Sequence, residues 1–133
     1  NHETKNMNKI YGFEGEVKAK YDDKIFDLFL EVFSYMPLAS VVGDKVFVTH
    51  GGLPTDPGVT LSDIRKIKRG CEPPNSGLMS DLLWADPMKD ESAKHGEFAE
   101  NPERECSFYF GKKPVKKLLK ANKLMSIFRG HQV

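Results

Sequence analysis

The sequence has few cysteines, no large excess of charge and no long apolar run, and each absence removes a class of function. Its two cysteines, Cys71 and Cys106, cannot build a disulfide framework and do not form a Cys-x-x-Cys pair. Two reduced thiols in a cytoplasmic or nuclear protein are therefore expected. The net charge is +1 with both signs interspersed, which gives no argument for a nucleic-acid or membrane partner. No stretch approaches the roughly 20 apolar residues of a membrane span. Neither an initiating Met nor a signal peptide is visible, and the true N-terminus is expected to lie upstream. Internal repeats and low-complexity tracts are also lacking.

What remains is ordinary globular material: 133 residues, 39% apolar and 29% charged, enough for one small domain with a core. Residues 13–36 carry apolar positions near an i, i+3, i+4, i+7 stripe and read as helical, with Asp22 or Asp23 as N-cap and Pro37 as the stop. Two β-prone runs, Ala39–Val42 and Lys45–Val48, flank Gly43-Asp44 and predict a hairpin. Thr60 and Asp63 are spaced as a capping pair for a short helix over 60–67. Residues 70–77 read as loop and 78–84 as a short helix. Residues 86–103 read as irregular and 106–110 as a strand. A basic helix is expected over about 112–121, with Val115, Leu118 and Leu119 inward. Leu124–Phe128 then read as a buried strand. Strand, helix, strand in that order predicts an α/β layer.

Three of the four histidines lie in short motifs: Asn1-His2-Glu3, His50-Gly51-Gly52 and Arg129-Gly130-His131. Twice, an apolar strand ends and a His beside Gly follows. This puts imidazoles above the ends of strands, where open α/β folds bind ligands. Glycine there lets backbone approach a metal or phosphate, and imidazole is a good ligand for first-row ions. Asn1 could add an amide oxygen. Two His and one Asn leave such a site incomplete, because carboxylates are needed to offset divalent charge, and these are expected upstream. Spacing alone does not separate a metallophosphatase from another metallohydrolase.

The three motifs, in this order, resemble those of the metal-dependent serine/threonine protein phosphatases of the PPP type, whose series reads GDxHG, GDxVDRG, GNHE, HGG and R-x-H. Longer stretches carry the resemblance further. Ile10–Tyr21 is similar to the TPR-bearing, type-five branch, Asp81-Leu82-Leu83-Trp84-Ala85-Asp86-Pro87 to the family's DLLWSDP, and Cys106–Phe110 to calcineurin. The resemblance covers the whole chain. It implies an α/β fold, the central part of a metallophosphoesterase β-sandwich flanked by helices. It also implies that residues 1–133 are a partial catalytic domain, without the two upstream GDx motifs and the C-terminal strands.

The implied reaction is hydrolysis of phosphoserine and phosphothreonine in proteins by hydroxide activated between two metal ions, Mn or Fe and Zn. On this resemblance Asn1, His50 and His131 match metal ligands, and His2 matches the general acid that protonates the leaving oxygen. Arg104 matches a phosphate-clamping arginine, and Tyr11 and Trp84 match residues lining the substrate cleft. The family reads Arg-Gly where this chain reads Arg104-Glu105, which sets an anion beside the clamp. Glu3 and Asp86 are read as supporting rather than catalytic. The implied partners are phosphoprotein substrates and regulatory domains or subunits. The alternatives are another binuclear metallophosphoesterase, acting on nucleotides or nucleic acid, and a non-catalytic binding module. The 133 residues by themselves are expected to be nearly inactive.

Overall fold

Asp22 starts the longest helix. Its carboxylate accepts the Ile25 amide at 2.9 Å, and the helix then runs from Asp23 to Tyr35 before Pro37. The computed structural model describes residues 1–56, 58–89 and 96–132. The chain divides into two compact units, Asn1–Pro37 with Lys68–Pro73, and Leu38–Ile67 with Pro74–Val133.

The first unit is helical: α1 (Lys5–Ile10), α2 (Phe13–Lys20) and α3 (Asp23–Tyr35). The single helical stretch expected over 13–36 is two helices. The backbone breaks at Tyr21, and Asp22 recaps it in an extended conformation. Helix α1 has no counterpart among the expected elements: six residues show too little apolar period, and the helix is set by Thr4, whose hydroxyl accepts the Met7 amide. The apolar stripe packs inward, with Val17 and Phe26 buried and Phe13, Phe29 and Phe33 in mutual ring contact. Arg69 donates to the Met36 carbonyl at 2.9 Å and covers the open end of α3.

The second unit is mixed α/β, as expected. It holds β1 (Ala39–Val42), β2 (Val46–Thr49), α4 (Leu61–Arg65), α5 (Leu78–Trp84), β3 (Asp86–Pro87), β4 (Phe98–Glu100), β5 (Phe108–Phe110), α6 (Lys112–Ala121) and β6 (Ser126–Arg129). One sheet runs β1-β2-β6 and the other β3-β5-β4. Gly43 and Asp44 both take positive φ, 57° and 56°, and close the β1–β2 hairpin. Thr60 and Asp63 form the reciprocal capping box at the start of α4.

Three expectations change. Residues 86–103 contain two short strands, because Asp86–Pro87 and Phe98–Glu100 both find backbone partners on β5; residues 90–95 lie outside the described residues. The strand–helix–strand passage β5–α6–β6 joins the two sheets instead of extending one. The strand expected over 124–128 is shifted to 126–129, and its Phe128 is 65% exposed on the face opposite the core.

Phe47, Leu53, Leu82, Ala85, Phe110, Leu118 and Leu124 form one buried cluster, so both sheets, α5 and α6 share a core. Each large side chain buried there contributes roughly 1.5–3 kcal/mol. No helix among the described residues is long and apolar enough to cross a membrane.

Candidate metal and phosphate site

Strands β2 and β6 are parallel neighbours with Thr49 opposite Arg129. That register delivers the residues that follow them to the same edge of the sheet. The ladder continues one step, Gly130 N–H donating to the His50 carbonyl at 3.1 Å. His50 Nε2 and His131 Nδ1 then meet at 3.1 Å, with the rings tilted 57°. His131 takes a left-handed backbone, φ 68°, which turns its ring back toward His50.

The glycines of His50-Gly51-Gly52 also serve packing. A Cβ on Gly51 would lie 2.5 Å from the backbone of Leu83 and Trp84. One on Gly52 would run into the Phe110 ring. The loop is pressed onto α5 and β5, and the Gly51 amide donates to the Leu82 carbonyl at 2.8 Å.

Around the two imidazoles lies a charged network that the sequence did not reveal. Asp86 is fully buried. Its Oδ2 accepts from Arg104 Nε at 2.9 Å and Asn101 Nδ2 at 3.1 Å, and its Oδ1 accepts from Arg129 Nη2 at 2.8 Å. Arg129 also donates through Nε to the Gly51 carbonyl at 2.5 Å, and Arg104 donates through Nη2 to the His131 carbonyl at 3.2 Å. Burial pushes the Asp86 carboxyl up, but hydrogen bonds from Arg104 and Asn101 with the nearby positive charge outweigh it, and the net shift is downward. Arg104 is held above its ordinary value by the Asp86 bond, whereas desolvation holds Arg129 below. His131 is pushed down to about 4, by desolvation first and then by the Arg104 charge.

The residues singled out in the sequence fall into two groups. His50, Trp84, Arg104 and His131 come together in the second unit. The Trp84 ring sits edge-on to His131 at 5.7 Å and 89°. Glu105 does not take the Arg104 guanidinium; it is exposed, with φ 57°, in the left-handed conformation that suits the family's glycine. Asn1, His2 and Tyr11 belong to the first unit. There His2 stacks on Tyr11, 5.0 Å between ring centroids and 4° between planes. Buried Asn8 donates to the carbonyls of His2 and Thr4 at 2.9 and 2.7 Å, and Thr4 to the Asn1 carbonyl at 3.1 Å. The N-terminal turn is thus tied to α1.

Asp86 was read as a supporting residue and Arg129 only as part of its motif; Asp81 and Asn101 were missed as parts of the site. The available signal was an acid inside the apolar run Leu78–Trp84, because a carboxylate at a core position has to be paired.

The donor set fits a metal ion in part. Two nitrogen ligands on one tetrahedral ion, each at about 2.0–2.1 Å, stand about 3.3 Å apart, close to what the two imidazoles show. A His131 held neutral well below neutral pH has the protonation state a ligand needs. Among the described residues, however, no group of three or more His, Cys, Asp or Glu could hold an ion. The chain offers nitrogen ligands but not a complete set.

The chain is 50% identical over its whole length to serine/threonine-protein phosphatase 5 of Rattus norvegicus, covering 26% of that protein. It is 43% identical to serine/threonine-protein phosphatase T of Saccharomyces cerevisiae, covering 25% of it. It thus spans about a quarter of the length of the curated relatives it matches. A solved protein serine/threonine phosphatase from Saccharomyces cerevisiae, described as similar to human phosphatase PP5, superposes with a TM-score of 0.89 at 42% identity, over 99% of this chain and 39% of that one. A profile of the calcineurin-like phosphoesterase family matches residues 1–133, and the chain belongs to that family.

Proposed function

We propose that this chain is part of the catalytic domain of a metal-dependent protein serine/threonine phosphatase acting on phosphoproteins. The observation that carries the reading is the convergence of His50 Nε2 and His131 Nδ1 at 3.1 Å, with Arg104 bonded to the His131 carbonyl. The relatives, serine/threonine phosphatases by name, support the substrate class.

His50, His131 and Asn1 are the metal ligands this chain offers to a two-ion site of Mn, or of Fe and Zn. Bound ions would supply Lewis acidity toward water and toward the phosphoryl oxygens. Arg104, held through Nε by Asp86 and through Nη2 by the His131 carbonyl, would clamp a phosphate oxygen. Trp84 packs against the His131 ring and lines the substrate cleft. His2 gives its ring proton to the leaving serine or threonine oxygen, a poor leaving group unless protonated. Tyr11, stacked on His2, limits rotation of that ring.

The test uses the full-length protein that carries this chain. It should hydrolyse a phosphoserine peptide, lose that activity to a chelator, and show little activity on a phosphodiester. Efficient phosphodiester cleavage without phosphopeptide activity would assign a different phosphoesterase. His2→Asn should lower kcat by roughly 10²–10⁴ with normal metal content; loss of metal at unchanged kcat per bound ion would contradict the general-acid role.

A further inference from the structure

Residues Arg104–Ser107 form a turn with an unusual backbone. Two of its four residues, Glu105 and Ser107, hold left-handed φ of 57° and 56°, and neither is glycine. Such a turn keeps its shape only where its surroundings over-determine it. On the backbone side, the Arg104 amide donates to the Asn101 carbonyl at 3.2 Å. On the side-chain side, the Ser107 hydroxyl donates to Asp81 Oδ1 at 2.8 Å.

Asp81 is a rigid acceptor. It lies in the first turn of α5 and is 1% exposed. Its other oxygen, Oδ2, accepts from both the Thr55 amide and the Thr55 hydroxyl at 3.0 Å. Bonds at both oxygens, one pair from the loop that follows His50-Gly51-Gly52, leave the carboxylate no freedom to rotate. Asp86, two residues beyond the end of α5, holds the Arg104 guanidinium itself. Helix α5 and strand β3 after it therefore grip the turn twice, at Ser107 through Asp81 and at Arg104 through Asp86.

We propose that Asp81 and Ser107 are positioning residues, and that their hydrogen bond sets the turn from which Arg104 is presented to phosphate. The inference rests on the reading of Arg104 as the phosphate clamp. Thr55, Asp81 and Ser107 then act jointly. They couple the loop after His50 to the loop of the clamp, so that the metal-ligand and phosphate-binding halves of the site share one reference point.

Ser107 offers a cleaner probe than Asp81. Removing its hydroxyl leaves Asp81 Oδ2 bonded to Thr55 and costs only the bond at Oδ1, a smaller disturbance than removing the carboxylate. In the full-length protein, the quantities measured are the inhibition constant of inorganic phosphate, the metal content and the thermal midpoint. Ser107→Ala and Ser107→Gly should both raise the phosphate inhibition constant, by up to about tenfold if the full worth of one hydrogen bond to a charged group went into holding the turn, with metal content close to wild type and a modestly lowered midpoint. Ser107→Gly also relieves a left-handed residue, so a loss there belongs to the hydroxyl and not to backbone strain. Wild-type phosphate inhibition in both Ser107 variants, beside weakened inhibition in Arg104→Ala, would overturn the positioning role and leave the clamp intact. A lowered midpoint with unchanged phosphate inhibition would mark the bond as merely structural and overturn it equally. An Arg104→Ala protein with wild-type phosphate inhibition would remove the clamp and the proposal with it.

Discussion

At His131 burial, two neighbouring guanidinium groups and a second imidazole oppose protonation and outweigh the Asp86 carboxylate, which favours it. Its folded-state pKa, about 4, lies below the ordinary 6.5. Between those values the unfolded chain binds the extra proton, so stability is fully present above about pH 6.5 and is lost as pH falls toward 4. Asp86 acts in the same direction at lower pH. Its depressed carboxyl contributes stability above the usual carboxylate range, and loses it as pH falls through its folded value. The metal-stripped full-length protein should therefore show a urea midpoint that falls between pH 7 and pH 5, and His131→Gln should flatten that slope. A wild-type midpoint unchanged over this interval would show that His131 is not held neutral by its surroundings. At this scale the motif residues themselves were legible, because His50 and His131 stand beside glycines at strand ends. The partners were not: Thr55, Asp81 and Ser107 are separated by at least 26 residues yet meet at one carboxylate, and no local pattern records such a convergence.

Among the elements, the parallel pair β2–β6 and helix α5 decide the geometry of the site. The hairpin β1–β2, the capping box of α4 and the whole of α6 could be read in the sequence, because turn residues, caps and a 3.6-residue period are local signals. The pairing of β2 with β6 was not readable. It joins residues 80 apart in the chain, for example Phe47 with Ile127, and short apolar runs do not name their partners. Strand β2 is thus a central strand between β1 and β6 among the described residues. The packing of the Gly51 loop on α5 leads to a stability prediction. Gly51→Ala would drive a Cβ to 2.5 Å from the Leu83 and Trp84 backbone, and should destabilise the protein by about 1–3 kcal/mol, read from urea denaturation. A midpoint equal to wild type would show that the loop is free to lift away from the helix.

For the molecule as a whole, the balance of ligands sets what this chain can do alone. Asn1, His50 and His131 are neutral donors, and among the described residues no three His, Cys, Asp or Glu side chains assemble around one point. Neutral ligands do little to offset the charge of two ions. The isolated 133-residue chain, titrated with manganese by calorimetry, should show no tight two-ion binding, and its phosphopeptide turnover should be far below that of a complete phosphatase. Tight binding of two ions per chain would contradict the partial-site reading. Membership of the family was legible from motif order, since three short motifs and the DLLWADP stretch span the chain; the division into two units was not, because Lys68–Pro73 returns to pack with the N-terminal helices.

Central to the proposed function is that His50 and His131 act together on one ion. The most direct measurement is the metal content of the purified full-length protein and its His50→Ala and His131→Ala variants, by mass spectrometry of the elements. Two ions per chain are predicted in the wild type and the loss of about one in each variant, with phosphopeptide hydrolysis falling in parallel. Two ions per chain and wild-type turnover in both variants would contradict it.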